Sequence, residues 1–317
     1  MAAFASATND IASDGYYMIG LTQKKQSFFI GLRSTFYRLA MVTGQGLLVI
    51  FAGFLENQYG DNTKAWSVTM ISAAVLMIVL TISNFFTAPK FEETTTEPTE
   101  KPAGFFEVFA TFFKKHQIGV ALLFVLTYRL GESQLVKMAS PFLLDDLGVG
   151  GLAYSTEAVG TIYGTVGVIM LSLGGILGGI LISRDGLKKW MLPMLLSLNL
   201  PNALYAILAI TQTTSLYAVV GTVVIEQFGY GFGFAAFMMY LIYVAEGASK
   251  TSHYAIATGF MALGMMLPGM LSGYIQEWLG YDGFFIWVVI AALPAFFVLR
   301  YLKYPEDYGK KTAETND

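Results

Sequence analysis

Three places in this sequence set ionisable side chains inside long apolar runs. Asp10 and Asp14 lie four residues apart, so one helical face carries both. Arg129 and Glu132 stand one helical turn apart, with Tyr128 and Gln134 beside them. Glu226 and Gln227 sit in the middle of a third run, with Tyr230 one turn on. A charge facing hydrocarbon is costly enough that each of these groups should face a bundle interior or a water-filled cavity. A buried carboxylate can take up and release a proton as its surroundings change, which suits a coupling site. The planar fork of Arg129 suits a carboxylate partner. Tyr128 and Gln134 can hydrogen-bond sugar or amide groups. Structural roles stand beside these. The aspartates can close a helix end or pair with Arg38, and Arg129 and Glu132 can simply neutralise each other.

These side chains need membrane helices to position them. Of 317 residues, 55% are hydrophobic and 13% charged, with a mean hydropathy of +0.57. Soluble domains carry about 25% charged residues, so the class is a membrane protein. The chain has no cysteine, which excludes a disulfide framework and thiolate metal ligation. Met1 is followed by Ala-Ala-Phe-Ala, with no basic segment ahead of an apolar core, so no signal peptide is read. A bilayer core takes roughly 20 apolar residues. That measure predicts nine helices, near 1–20, 36–56, 65–87, 116–138, 157–182, 190–210, 214–244, 253–276 and 283–303, with a basic turn between the first two. The first opens without a polar flank, and Met1 is expected to be an internal methionine of a longer protein or of a truncated record.

Lys and Arg are distributed unevenly. One set of loops holds Lys24, Lys25, Arg33, Lys90, Lys101, Lys114, Lys115, Arg184, Lys188, Lys189, Lys250, Arg300, Lys303, Lys310 and Lys311. The opposite loops hold Lys64, so the richer side is predicted to be cytoplasmic, with the C-terminus there. Pro89–Gly104, rich in Glu and Thr, reads as a mobile linker. Phe105, Phe106, Phe109, Phe112 and Phe113 follow it, an amphipathic pattern for the membrane surface. The expected organisation is a three-helix bundle over 1–87, a linker with the amphipathic segment over 88–115, a six-helix bundle over 116–304 and a tail over 305–317. Gly160, Gly164, Gly174, Gly175, Gly178, Gly179, Gly269 and Gly273 are expected to serve close helix packing or sliding contacts. Gly229–Gly233 lies inside an apolar helix with no strand before it, so a nucleotide loop is rejected. His116 and His253 start helices and read as interfacial. No metal, cofactor or nucleic-acid partner is expected.

Several blocks together resemble the AmpG family of muropeptide permeases, within the major facilitator superfamily. Ala3–Asp14 is similar to the family's fourth helix. Gly31-Leu-Arg-Ser-Thr-Phe-Tyr-Arg-Leu-Ala-Met41 resembles the start of the fifth. Tyr128-Arg-Leu-Gly-Glu132 resembles part of the seventh, and Gly178–Gly186 the loop after the eighth. The likeness runs from residue 3 to about 303. Helices resembling the family's first three are missing, and the family's usual Gln before the first aspartate is Asn9. The resemblance implies an all-α, polytopic major facilitator bundle with about nine of twelve transmembrane helices. It further implies proton-coupled import of anhydro-muropeptides across the inner membrane, a symport in which Arg129 holds the peptide carboxylate. Asp10, Asp14, Glu132 and Glu226 become candidate proton carriers, and Asp10, Arg129, Glu132 and Glu226 are expected to share one aqueous cavity. Arg184 and Asp185 become a charge latch between helix ends. Alternatives are a non-transporting or regulatory remnant of a permease, or a permease for acetyl-CoA, small peptides or sugars. No nucleophile–base pair points to an enzyme.

Overall fold

The computed structural model describes residues 2–87 and 104–310, all of whose regular elements are helical. These are α1 (Ala2–Gly20), α2 (Gln23–Val42), α3 (Leu48–Tyr59), α4 (Asn62–Thr87), α5 (Phe105–Phe113), α6 (Ile118–Tyr128), α7 (Leu130–Leu144) and α8 (Thr156–Thr161). Then come α9 (Val168–Asp185), α10 (Leu187–Asn199), α11 (Asn202–Thr211), α12 (Leu216–Ala245), α13 (Lys250–Ala291) and α14 (Leu293–Leu299). Among the described residues each of the nine expected segments is largely helical, with residues 116–117, 214–215 and 300–303 outside the helices. Five stretches are long and apolar enough to cross a membrane: Asn62–Thr87, Thr156–Asp185, Leu187–Thr211, Leu216–Ala245 and Lys250–Leu299. A sixth is reached if Phe105–Phe113 is joined with Ile118–Leu144, a pair bent by 88°.

The described residues form two compact units, one from residues up to Thr35 with those from Gly104 onward, the other from Phe36 to Thr87. In the smaller unit α3 and α4 pack side by side, burying Ala52, Leu55, Ala65 and Thr69. Gly60 takes a φ of +65° at the end of α3 and returns its N–H to the carbonyl of Glu56. Much of the apolar surface of α4 is exposed, as in a helix that faces lipid.

The larger unit corrects one expectation. The stretch read as a basic turn is the first half of α2, and the connection from α1 is only Leu21 and Thr22. Charge misled the reading, because Lys24, Lys25 and Arg33 are good helix formers. The Gln26 amide donates to the carbonyls of Met18 and Leu21 and so ties the end of α1 to α2.

The 50-residue stretch Lys250–Leu299 would be about 75 Å long if straight, far beyond a bilayer core. Its contacts show that it doubles back at Gly280, where φ is +70° and ψ 175°. Gly264 meets Leu126, Gly269 meets Ser133 and Lys137, and Tyr281 reaches Asp145. The chain then returns, and Gly131 abuts the Val288 carbonyl.

Two apolar clusters fill this unit. One holds Phe124, Tyr128, Leu195, Leu198, Tyr230 and Phe237; the other holds Leu135, Phe142, Tyr205, Val223 and Phe285. Helices α6–α7, α10–α11 and α12 each pass from one cluster to the other. The segments between are polar: Arg129–Gln134, Asn199–Asn202 and Glu226–Gln227.

Glycines let α9 and α12 approach at backbone distance. A Cβ at Gly174 would stand 2.2 Å from the Phe228 carbonyl oxygen, and one at Gly231 2.0 Å from that of Leu171. Likewise, one at Gly31 of α2 would stand 2.0 Å from the Gly175 carbonyl oxygen of α9. Gly160, Gly164 and Gly273 have open space instead, so only part of the glycine pattern is packing. Gly231→Val should therefore destabilise by about 1–3 kcal/mol or more, while Gly164→Ala should be near neutral. Melting of the purified protein in detergent measures both, and equal effects would contradict this packing.

Candidate functional site, a buried polar layer

Arg129 sits at the break between α6 and α7. Its φ of −113° and ψ of 19° end α6 and begin α7. The break turns its side chain into the layer, where it is only 7% exposed. The guanidinium Nε donates to Glu132 Oε2 at 2.8 Å, and Nη2 donates to the Tyr230 hydroxyl at 2.6 Å. Its plane also lies over the Tyr230 and Phe234 rings, 5.0 and 5.1 Å from their centroids. Glu132 is 1% exposed. The cation thus holds a carboxylate, a phenol and two aromatic faces at once.

Two neighbours have their polar atoms engaged within the protein. The Tyr128 hydroxyl donates to the Gly233 carbonyl at 2.8 Å while its ring stacks on Phe237. The Gln134 amide donates to the Leu130 carbonyl, and its oxygen accepts from Trp287 Nε1 at 2.9 Å. Both fix helices in place and so support Arg129 and Glu132.

One turn from Tyr230 on α12, Glu226 is buried in a cluster that the sequence did not reveal. Gln227 Nε2 donates to both its carboxylate oxygens, at 2.9 and 3.2 Å, and the Tyr205 hydroxyl points at Oε2 from 3.5 Å. Tyr163 bonds Tyr205 in turn. Tyr163 comes from a π-helical turn, Ile162–Gly167, between α8 and α9. Such turns often mark working sites because the extra residue re-aims a side chain. The layer therefore has two linked parts, Arg129–Glu132–Tyr230 and Glu226–Gln227–Tyr205–Tyr163, joined through one turn of α12.

The other sequence candidates lie elsewhere. Asp10 is exposed, outside the buried layer. Asp14 is buried and paired with Arg33, whose guanidinium covers the Tyr17 ring. The side chain of Arg38 lies outside the described ones. Arg184 grips its neighbour Asp185 through Nε and Nη2, at 3.2 and 3.0 Å. Lys189 and Trp190 Nε1 reach the same carboxylate. These contacts cluster at the turn between α9 and α10, from which Lys188 reaches Glu306 at 2.7 Å.

Two further residues, Asn199 and Asn202, flank Pro201 at the α10–α11 break and were not singled out from the sequence. Asn199 Nδ2 donates to the Leu195 carbonyl at 3.0 Å and to that of Tyr128 at 3.4 Å. Two amides three residues apart beside a proline read as an ordinary polar interruption until their burial is known.

Because Arg129 and Glu132 are both buried, removing one strands the other. Arg129→Met should cost about 3–5 kcal/mol, whereas Arg129→Met with Glu132→Leu should recover most of that loss. Unfolding in mixed detergent reads both; equal losses for the single and double variants would show that the pair carries no such coupling.

The Major Facilitator Superfamily matches residues 15–249 and 130–317. The AmpG 4 protein of Rickettsia conorii is 28% identical over 306 residues, 94% of this chain and 70% of that protein. The anhydromuropeptide permease of Escherichia coli K12 is 25% identical over 308 residues, 97% of this chain. The chain spans 60% of that permease's length. AmpG 3 of Rickettsia typhi is 26% identical over 321 residues, 98% of this chain and 73% of that protein. With its all-helical architecture and its long apolar helices, this multi-pass membrane protein belongs to the major facilitator superfamily.

Proposed function

We propose that the protein is a secondary active transporter that imports anhydro-muropeptides together with protons across the inner membrane. The observation that carries this reading is the layer of buried charge between two apolar clusters, built where two of its three helical spans are broken. Transporters place substrate and coupling-ion sites near the bilayer midplane, on interrupted helices. Likeness to the E. coli permease suggests the substrate class. The machinery is for binding and movement rather than for bond making.

In this reading Arg129 exchanges its internal partners for a carboxylate of the peptide stem. Glu132, released from Arg129, takes up a proton, and Glu226 serves as the second carrier through its tyrosine and glutamine donors. Neutralising a carboxylate removes a charge whose burial is costly, so protonation favours the closed form of the site. The lysine- and arginine-rich end, with residues 305–317, faces the cytoplasm. Asp14 and Arg33 form a lock at that end. There Gly15 of α1 touches Thr251 of α13, and α2 meets α9 at Gly31.

Uptake of labelled anhydro-muropeptide into proteoliposomes under an imposed pH gradient tests this. Accumulation should stop with a protonophore. Glu132→Gln and Glu226→Gln should retain exchange at equal pH but lose accumulation. Arg129→Lys should raise the half-saturating concentration roughly tenfold, the loss expected for one charge-assisted bond of about 1.5 kcal/mol. Accumulation that ignores the protonophore would overturn proton coupling, and failure to bind any muropeptide would overturn the substrate.

A further inference from the structure

The polar layer contains more hydrogen-bonding atoms than the protein itself satisfies. Asn202 is fully buried, at 0% exposure, yet neither its Nδ2 nor its Oδ1 meets a protein partner. Asn199 Oδ1 and Glu132 Oε1 are likewise buried and without a hydrogen bond. Leaving an amide dry among apolar side chains is unfavourable, and leucine at position 202 would avoid it. An amide at that place makes physical sense if something small and polar meets it.

The three residues lie within one turn of the same level. Helix α6–α7 runs from the cluster of Phe124 and Tyr128 toward that of Leu135 and Phe142. Helix α10–α11 runs the same way, from Leu195 and Leu198 toward Tyr205. Asn199 is tied to the Tyr128 carbonyl, so the two helices are in register there. One turn on, Tyr128 leads to Glu132 on one helix and Asn199 to Asn202 on the other. Both α10 and α11 pack against α7. Glu132 gives Oε2 to Arg129, and Oε1 remains. A buried water needs two to four polar partners, and the polar atoms left unmet at this level are four: Asn199 Oδ1, Asn202 Nδ2 and Oδ1, and Glu132 Oε1.

We propose that Asn199, Asn202 and Glu132 hold internal water inside the larger unit, and that this water carries the coupled proton to Glu132. The site would take water or hydronium and nothing larger. A hydronium in the site donates one proton to Glu132 Oε1, which becomes the neutral acid, and stays behind as water, so one proton moves and no water is consumed. The second half of the proposal rests on the proton-coupled reading above; the hydration does not.

Hydroxyl-radical footprinting of the purified protein tests the water, because it oxidises side chains beside bound water even when they are buried. Tyr128 and Tyr205 should label in the wild type and lose labelling in Asn202→Leu. That variant should melt at the same temperature or higher, because an unpaired amide has been replaced by an apolar group. Its gradient-driven accumulation should fall to that of protonophore-treated wild type, with exchange at equal pH retained. Asn202→Ser, which keeps a hydroxyl and leaves room for water, should restore both labelling and accumulation. If Asn202→Leu labels and accumulates like wild type, the proposal is wrong. If Asn202→Leu and Asn202→Ser both melt early with labelling unchanged, the amide is structural and the proposal is again wrong. Wild-type accumulation that ignores a protonophore would instead sink proton coupling, and with it the delivery step, whatever the footprint shows.

Discussion

The structure of the larger unit depends on keeping Arg129 ionised in a place without bulk water. A buried guanidinium is tolerable only when its donors and its charge are met, and here they are met by Glu132, the Tyr230 hydroxyl and two ring faces. Each partner comes at a structural cost elsewhere. Helix α6 ends so that Arg129 can turn inward, leaving the Tyr128 carbonyl for Asn199. Tyr230 faces the cation because α12 is held at backbone distance from α9 by Gly174 and Gly231.

The apolar clusters on either side give the layer its electrostatic strength. Aromatic side chains fill both: Phe124, Tyr128 and Phe237 on one side, Phe142, Tyr281 and Phe285 on the other. They lower the local dielectric, so a proton gained or lost in the layer changes energies far more than it would in water. Close backbone packing at the glycines makes the surroundings stiff.

Much of this was legible in the sequence, for identifiable reasons. Apolar runs of bilayer length located the helices. Charges inside those runs marked Arg129, Glu132 and Glu226, because nothing cheaper explains a charge there. Neutral groups gave no such contrast. Tyr163 depends on a π-helical turn, and Asn199 and Asn202 look like ordinary polar interruptions until their burial is known. Asp10 and Asp14 looked alike, four residues apart. Only the two-residue turn after α1, which brings Arg33 back onto Asp14, separates an exposed carboxylate from a paired one. Glycine spacing was equally ambiguous: Gly174 and Gly175 lie at helix contacts, whereas Gly160 and Gly164 face open space.

Proton-coupled transport through this layer requires its carboxylates to change protonation as the protein works. Infrared difference spectroscopy of the reconstituted protein reads this directly, through the carbonyl stretch of a protonated carboxyl group as pH is stepped or substrate added. Such a band is expected in the wild type, reduced separately in Glu132→Gln and Glu226→Gln and absent when both are replaced. A band of full size in the double variant, or none in an active wild type, would contradict it.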